Sequence, residues 1–153
     1  MHDSQALVRQ AIDFSRPSRI PIWYFNRDHF KGDILLHGLW LDVDGGNEWG
    51  YRWTTLNDGT MGQPAEPVLA DWADLPSFRF PVLDAARRMA GVDAFKEKAG
   101  GRYLLGAFGM SGFNLYTFIR GFENALIDFM LECERAECLL DRIMSFEMEQ
   151  MTL

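Results

Sequence analysis

Positive charge is scarce in this chain. Fifteen Lys and Arg residues stand against 22 Asp and Glu, giving a net charge of −7 and a pI near 4.9. A nucleic-acid-binding surface needs a basic face for the phosphates, so that class of partner is excluded. No run of like charge reaches about five residues, so the chain carries no charged tail. Cysteine is nearly absent: Cys133 and Cys138 cannot build a disulfide framework and fit a reducing cytosol. Long apolar runs are missing too. Nowhere do about 18 apolar residues follow one another, so no membrane span is expected. Residues 1 to 14 are interrupted by Asp3, Arg9 and Asp13 and do not read as a signal peptide. With neither repeats nor low-complexity segments, these absences predict a cytoplasmic, soluble protein with no nucleic-acid or membrane partner.

What is present suits a core. Hydrophobic residues make up 48% of the 153 positions, enough for a folded globular chain and, by length, for a single domain over residues 1–153. "SQALVRQAIDF", 4 to 14, reads as an amphipathic helix with Ser4 as N-cap and Leu7, Ala11 and Phe14 on one face. Pro17 stops it, and Ile20 to Phe25 reads as a short buried strand opened by Pro21. "GDILLHGLWL", 32 to 41, is too short for its period to separate helix from strand.

Turn signals at Asp44-Gly45-Gly46 and Asn57-Asp58-Gly59 bracket "NEWGYRW", where Trp49, Tyr51 and Trp53 alternate with Glu48, Gly50 and Arg52. That alternation predicts one strand of a small hairpin. Pro67, Pro76 and Pro81 make residues 66 to 81 extended. Asp84 to Lys98 reads as a helix weakened at Gly91 by roughly 1 kcal/mol of propensity. "RYLLGAFG" is a buried strand ending in glycine, and a long helical region runs from Phe113 to Met151 with breaks near Gly121 and Cys133. Within it Phe122, Ala125, Leu126, Phe129 and Met130 form a wide apolar stripe. The order of elements is that of an α/β protein.

Several of these stretches together resemble the uroporphyrinogen decarboxylase family of TIM-barrel proteins. The family opens on a helix and an "R-x-P-x-W" strand, matched here by Arg19 to Trp23. Divergent bacterial members carry "D-E-W-G-x-x-W" and then a proline-rich passage; here stand Asn47 to Trp53 and "PVLADWADLPSFRFPVLD". Their "R-G-x-E-N-x-L-x-D" and "L-L-D-R-I" helices correspond to Arg120–Asp128 and Leu139–Ile143. The matches run in the family's order along nearly the whole chain.

The resemblance implies an α/β fold, a partial (β/α)8 barrel with a β-hairpin insertion, because such a barrel takes about 200 to 250 residues at least. The chain then corresponds to an N-terminal portion, either a truncated form of a longer barrel protein or a short natural product whose homodimer covers the exposed barrel edges. It also implies a cofactor-independent carboxy-lyase acting on a small polycarboxylate substrate, porphyrin-related by family and inactive in so short a portion. The chemistry needs cations for the carboxylates and an acid to protonate a pyrrole carbon. Where the true decarboxylases carry two loop arginines, this chain has Asn26 and Phe30, neither able to replace a bidentate clamp, with Arg27 one position away. The decarboxylases' aspartate has no secure counterpart, since Asp33 in "GDILL" sits too near Trp23.

The alternatives are a zinc- and corrinoid-dependent methyltransferase of the same superfamily and a non-catalytic binding or assembly module. The methyltransferase zinc ligands come from the C-terminal half of those proteins, so no metal site is expected in this chain. Cys133 and Cys138, a step of about 140° apart on a helix, read as buried structural residues.

Barrel active sites lie at the C-terminal ends of the strands. On that basis Asn26, Asp28 and His29 are the catalytic candidates, and Trp23, Arg27, Trp49, Gly109 and Ser111 the substrate-binding ones. "GAFGMSGF", 106 to 113, offers a glycine-rich strand-to-helix turn whose N–H groups suit an anion. His2 reads as inert at the terminus and His37 as a hydrogen-bonded structural histidine. Glu123 and Asp128 are possible catalytic carboxylates of the 120–128 helix, but Arg120, Glu123 and Asn124 read better as structural polar anchors.

Overall fold

A computed structural model describes residues 3–24, 29–56 and 62–153 and shows a mixed α/β protein. The described elements begin with helix α1 (Ser4–Ile12), strand β1 (Ile34–Gly38), the short strands β2 (Asp42–Val43), β3 (Gly46–Asn47), β4 (Trp53–Thr54) and β5 (Gln63–Pro64), and helix α2 (Ala85–Met89). They continue with α3 (Val92–Ala99), β6 (Tyr103–Ala107), α4 (Gly112–Arg120), α5 (Phe122–Leu131) and α6 (Cys133–Gln150). Two compact units divide them: one holds residues 1–39 and 89–107, the other residues 40–88 and 108–153.

In the first unit β1 and β6 pair in parallel, Ile34 opposite Tyr103 through Gly38 opposite Ala107. On the other side of β1, Trp23 makes a parallel bridge to Ile34. Within "GDILLHGLWL" the strand is Ile34–Gly38. The all-apolar opening Ile34-Leu35-Leu36 suits a parallel strand flanked on both sides, and Leu35 is fully buried. The strand expected over Ile20 to Phe25 is reduced to that one bridge among its described residues. Pro21 offers no N–H, and the Ile22 N–H is spent on a side chain, the Asp33 carboxylate.

Helix α1 starts as expected but is capped by Asp3, whose carboxylate accepts from the Ala6 N–H at 3.1 Å. Ser4, the expected cap, instead gives its hydroxyl to Asp33. The helix expected over 84 to 98 is two helices, because Gly91 takes a left-handed conformation (φ 84°) that ends α2 and opens α3. Arg102 closes the far end of α3 by donating to the Ala99 carbonyl at 2.8 Å.

The second unit is built on α4, α5 and α6. Their core joins Leu115, Tyr116 and Ile119 to Ala125, Ala136, Leu139, Ile143 and Phe146, with Trp49 and Leu69 brought in from the preceding segment. The apolar stripe of α5 is only half used: Ala125 and Phe129 turn inward, while Phe122, Leu126 and Met130 are exposed. Cys133 and Cys138 are both exposed, against the expected burial, because α6 spends its inner face on Ala136, Leu139, Ile143 and Phe146.

Gly121 joins α4 to α5 at φ 82° and ψ 147°, a region essentially reserved for glycine. A Cβ there would stand 2.7 Å from Pro67 Cγ. Gly121→Ala is expected to destabilise the protein by about 1–3 kcal/mol, read as a lower urea midpoint at unchanged slope.

"NEWGYRW" is where alternation misleads. The hairpin lies on its N-terminal side, β2 against β3 across Asp44 and Gly45, both with positive φ as a tight two-residue turn requires. Residues 47 to 51 then fold back on themselves. The Asn47 side chain accepts from the Trp49 N–H at 2.9 Å, and its backbone N–H donates to the Tyr51 carbonyl at 2.9 Å. Gly50 completes the turn at φ 87°. Of the three aromatics only Trp53 reaches a strand, β4, paired antiparallel with β5. The three aromatics therefore part company: Trp49 is 5% exposed in the core, Tyr51 is half-buried and Trp53 is 41% exposed.

Candidate functional site

Asn26, Arg27 and Asp28 lie outside the described residues, as does the side chain of His29, whose backbone opens a short 3-10 turn to Lys31. Trp23 is exposed beside its bridge to β1. His37, on β1, stacks against Phe95 of α3 with ring centres 4.6 Å apart.

Gly109 and Ser111 come just after β6. Gly109 has φ 94°, so the turn needs glycine for its conformation. Ser111 precedes α4 in an extended conformation without a side-chain cap. The anion position expected at this helix start is filled from within the chain: buried Glu147 of α6 accepts from the Gly112 N–H at 2.8 Å. Sequence reading passed over Glu147 because nothing near it in the chain hints at α4.

Three further buried carboxylates are fully engaged. Asp33 accepts from Arg19 through both oxygens (2.6 and 2.7 Å), from Ser4 Oγ at 3.0 Å and from the Ile22 N–H at 2.9 Å. It thereby ties α1, the "RIPIW" stretch and the start of β1 together. The Arg19 guanidinium, against the opposing cost of burial, holds this carboxyl far below the usual carboxylate range, helped by Ile22 and Ser4. Glu48 faces Arg88 through two bonds of 3.0 and 2.5 Å, and the Arg88 guanidinium lies 5.6 Å from the Phe146 ring centre.

Asp128 is a hub. It accepts from Arg120 Nε (2.7 Å) and Nη2 (3.0 Å), from the Tyr116 hydroxyl (2.9 Å) and from the Trp72 indole (2.9 Å). Burial pushes its carboxyl up, but the bonds from Arg120, Tyr116 and Trp72 outweigh that and hold it below the usual range. Tyr116 is pushed well above the usual phenol range by burial and by its bond to Asp128. Arg120 also donates to the carbonyls of Leu69 and Ala70 at 2.6 and 3.1 Å, and Asn124 to that of Ala70 at 3.2 Å. The "RGFENALID" helix is thus a clasp on residues 69 to 72. Arg120 and Asn124 anchor as expected, Glu123 is exposed, and Asp128 is structural with no oxygen left for proton transfer to a substrate.

The depressed Asp33 carboxyl makes stability depend on pH. It titrates in the folded state below its unfolded value, so its contribution is complete above the unfolded value of about 3.9 and fades as pH falls below it. Urea midpoints measured from pH 5 down to pH 2.5 should fall for the wild type and fall less steeply for Asp33→Asn. Equal slopes would remove Asp33 from the acid response.

The concave surface of the second unit gathers around the 46–52 turn. A cleft of about 370 Å3 is lined by Asp44, Glu48, Arg52, Asp74, Ser77 and Arg79 among others. A smaller one of about 240 Å3 lies against Trp49, Phe80 and Phe146. Trp49 borders both, although its ring sits in the core. Among the described residues no group of three or more His, Cys, Asp and Glu is placed to hold a metal ion, and no helix is long and apolar enough to cross a membrane. No family model, no curated protein and no solved structure matches this chain.

Proposed function

We propose that this chain is the N-terminal part of a (β/α)8 barrel of the uroporphyrinogen decarboxylase type, serving a cofactor-independent carboxy-lyase that acts on a small polycarboxylate. The observation that supports this best is strand order. Trp23, β1 and β6 are neighbours in the order in which the chain makes them, all parallel, with α3 leading into β6. A singly wound barrel requires that consecutive order. On this reading the Gly109–Ser111 turn follows a barrel strand, β6, at its C-terminal end, the end that carries barrel chemistry. By the family resemblance, Arg27 is the candidate cation for a substrate carboxylate.

The test is to titrate the complete gene product with uroporphyrinogen and, separately, with zinc. Porphyrinogen binding with release of carbon dioxide is expected, and Arg27→Ala should weaken binding about tenfold or more, the value of a charge-assisted hydrogen bond. Zinc uptake at one equivalent with no porphyrinogen turnover would overturn the decarboxylase reading in favour of methyl transfer.

A further inference from the structure

Helix α5 is apolar on both of its sides. Ala125 and Phe129 turn inward, and Asp128 is held in its buried ion pair. The opposite side is made of Phe122, Glu123, Leu126, Ile127, Met130 and Leu131, and every one of these except Glu123 is a large apolar residue left in water. Their exposure runs from 48% at Leu126 to 78% at Met130. A surface helix keeps its outer face polar, and a helix apolar all round is one that is covered.

Phe113 of α4, itself exposed, lies against Phe129 with ring centres 5.8 Å apart and widens the patch. At roughly 200 Å2 for a whole large side chain, the apolar residues of the patch leave on the order of 700 Å2 in water. Contiguous apolar surface of that extent marks an interaction site. It also approaches the roughly 800 Å2 that each partner contributes to an interface of standard size.

The order of residues along the helix indicates what fits the patch. Read outward from the midpoint between Leu126 and Ile127, the exposed face is its own complement. Antiparallel pairing sets Phe122 against Leu131, Leu126 against Ile127, and Glu123 against Met130 at the ends of the helix. A two-fold interface demands this reciprocity, in which residue i meets j and j meets i. A lipid surface is a poor match: α5 has no Lys or Arg and the chain carries a net charge of −7, whereas a helix lying in a membrane interface is rich in basic residues on its polar face.

We propose that two copies of this chain associate through the outer faces of α5, antiparallel about a two-fold axis at Leu126 and Ile127, with Phe113 at the margin. This association does not depend on the decarboxylase reading, and the zinc and porphyrinogen titrations leave it untouched.

The experiment is sedimentation of the whole chain at rising concentration, up to about 100 µM, since interfaces of this size hold at µM or tighter. The mass should rise from 17.6 kDa to twice that value. Met130→Glu sets a new carboxylate against the partner's Glu123 and should raise the dissociation constant about ten-fold or more. Met130→Lys presents an ammonium to the same carboxylate, so its loss should be smaller by about three-fold or more. Val82→Glu, at an 85% exposed position of the same unit, should leave the constant within about two-fold. All these side chains are exposed in a single copy, and urea midpoints measured on dilute, dissociated protein should match the wild type. A monomer at about 100 µM would overturn the inference, whether the face stays wet or is covered by another protein or by further chain. Equal losses in Met130→Glu and Met130→Lys would also overturn it, as would a loss in Val82→Glu as large as in Met130→Glu.

Discussion

Asp128→Ala should destabilise this protein by about 3–5 kcal/mol, the range for breaking a buried ion pair on one side. The substitution removes the acceptor of four hydrogen bonds at once: two from Arg120, one from Tyr116 and one from Trp72. Arg120 is left as a buried cation with only the Leu69 and Ala70 carbonyls and the Trp72 ring, 4.1 Å away, to satisfy it. Since a domain is stable by only about 5–15 kcal/mol, the loss approaches the whole stability. Urea unfolding followed by tryptophan fluorescence measures it. Asp128→Asn keeps the shape and some acceptor capacity and should fall between the two. A loss below about 1 kcal/mol for Asp128→Ala would mean that the clasp contributes little beyond packing. Replacing Arg120 and Asp128 together by Leu and Met should cost less than either single change to Ala, because no charge is then stranded.

Glu48→Ala should come next, again at about 3–5 kcal/mol, for a related reason. Arg88 has a fully buried side chain, and Glu48 is the carboxylate that faces it. The change also reaches the "NEWGYRW" turn, because Glu48 sits between Asn47, which forms the turn, and Trp49, which plugs the core. Two readouts separate these consequences. Urea midpoint reports the loss of the Glu48 carboxylate beside Arg88. The Trp49 indole signal reports whether the turn itself has moved. Glu48→Gln, which retains an acceptor toward Arg88, should lose clearly less stability than Glu48→Ala. If the two variants behave alike, the charge on Glu48 does not matter to the pair.

Local chemistry made much of this architecture legible. Gly121 and Cys133 mark the ends of α4 and α5 in the sequence because a backbone that needs φ near 82° and ψ near 147° admits little but glycine, and because the apolar period shifts there. The strand "YLLGA" and the Asp44-Gly45 turn were legible for similar reasons, a short apolar run with a glycine end and residues that tolerate positive φ, but the expected burial of that strand fails: Leu105 is 41% exposed and none of its residues is buried. Arg120 and Asn124 were recognisable as anchors because polar groups on an apolar helix need partners.

The failures share a cause. Each turns on a partner that is distant in sequence or on a local bond that outranks periodicity. Trp49, Tyr51 and Trp53 alternate as a strand does, but the Asn47 side chain and Gly50 offer the backbone a tighter alternative. Ser4 has the look of an N-cap, yet Asp33, 29 positions away, claims its hydroxyl and leaves Asp3 to cap the helix. The cysteines of α6 are small and often buried, and only the orientation of α6 against α4 and α5 exposes them. Ser111 and Gly112 look like an open anion site until Glu147, 35 positions on from Gly112, is seen to occupy it.

By itself, then, the sequence determined an acidic mixed α/β chain, its three C-terminal helices and the glycine that separates the first two, because those depend on neighbours within a turn or two. The tertiary structure alone decided which carboxylates are spent on Arg19, Arg88 and Arg120 and which remain free. It alone brought Trp49 to Phe80 and Phe146, since pairs so far apart along the chain meet only once the core has closed around them.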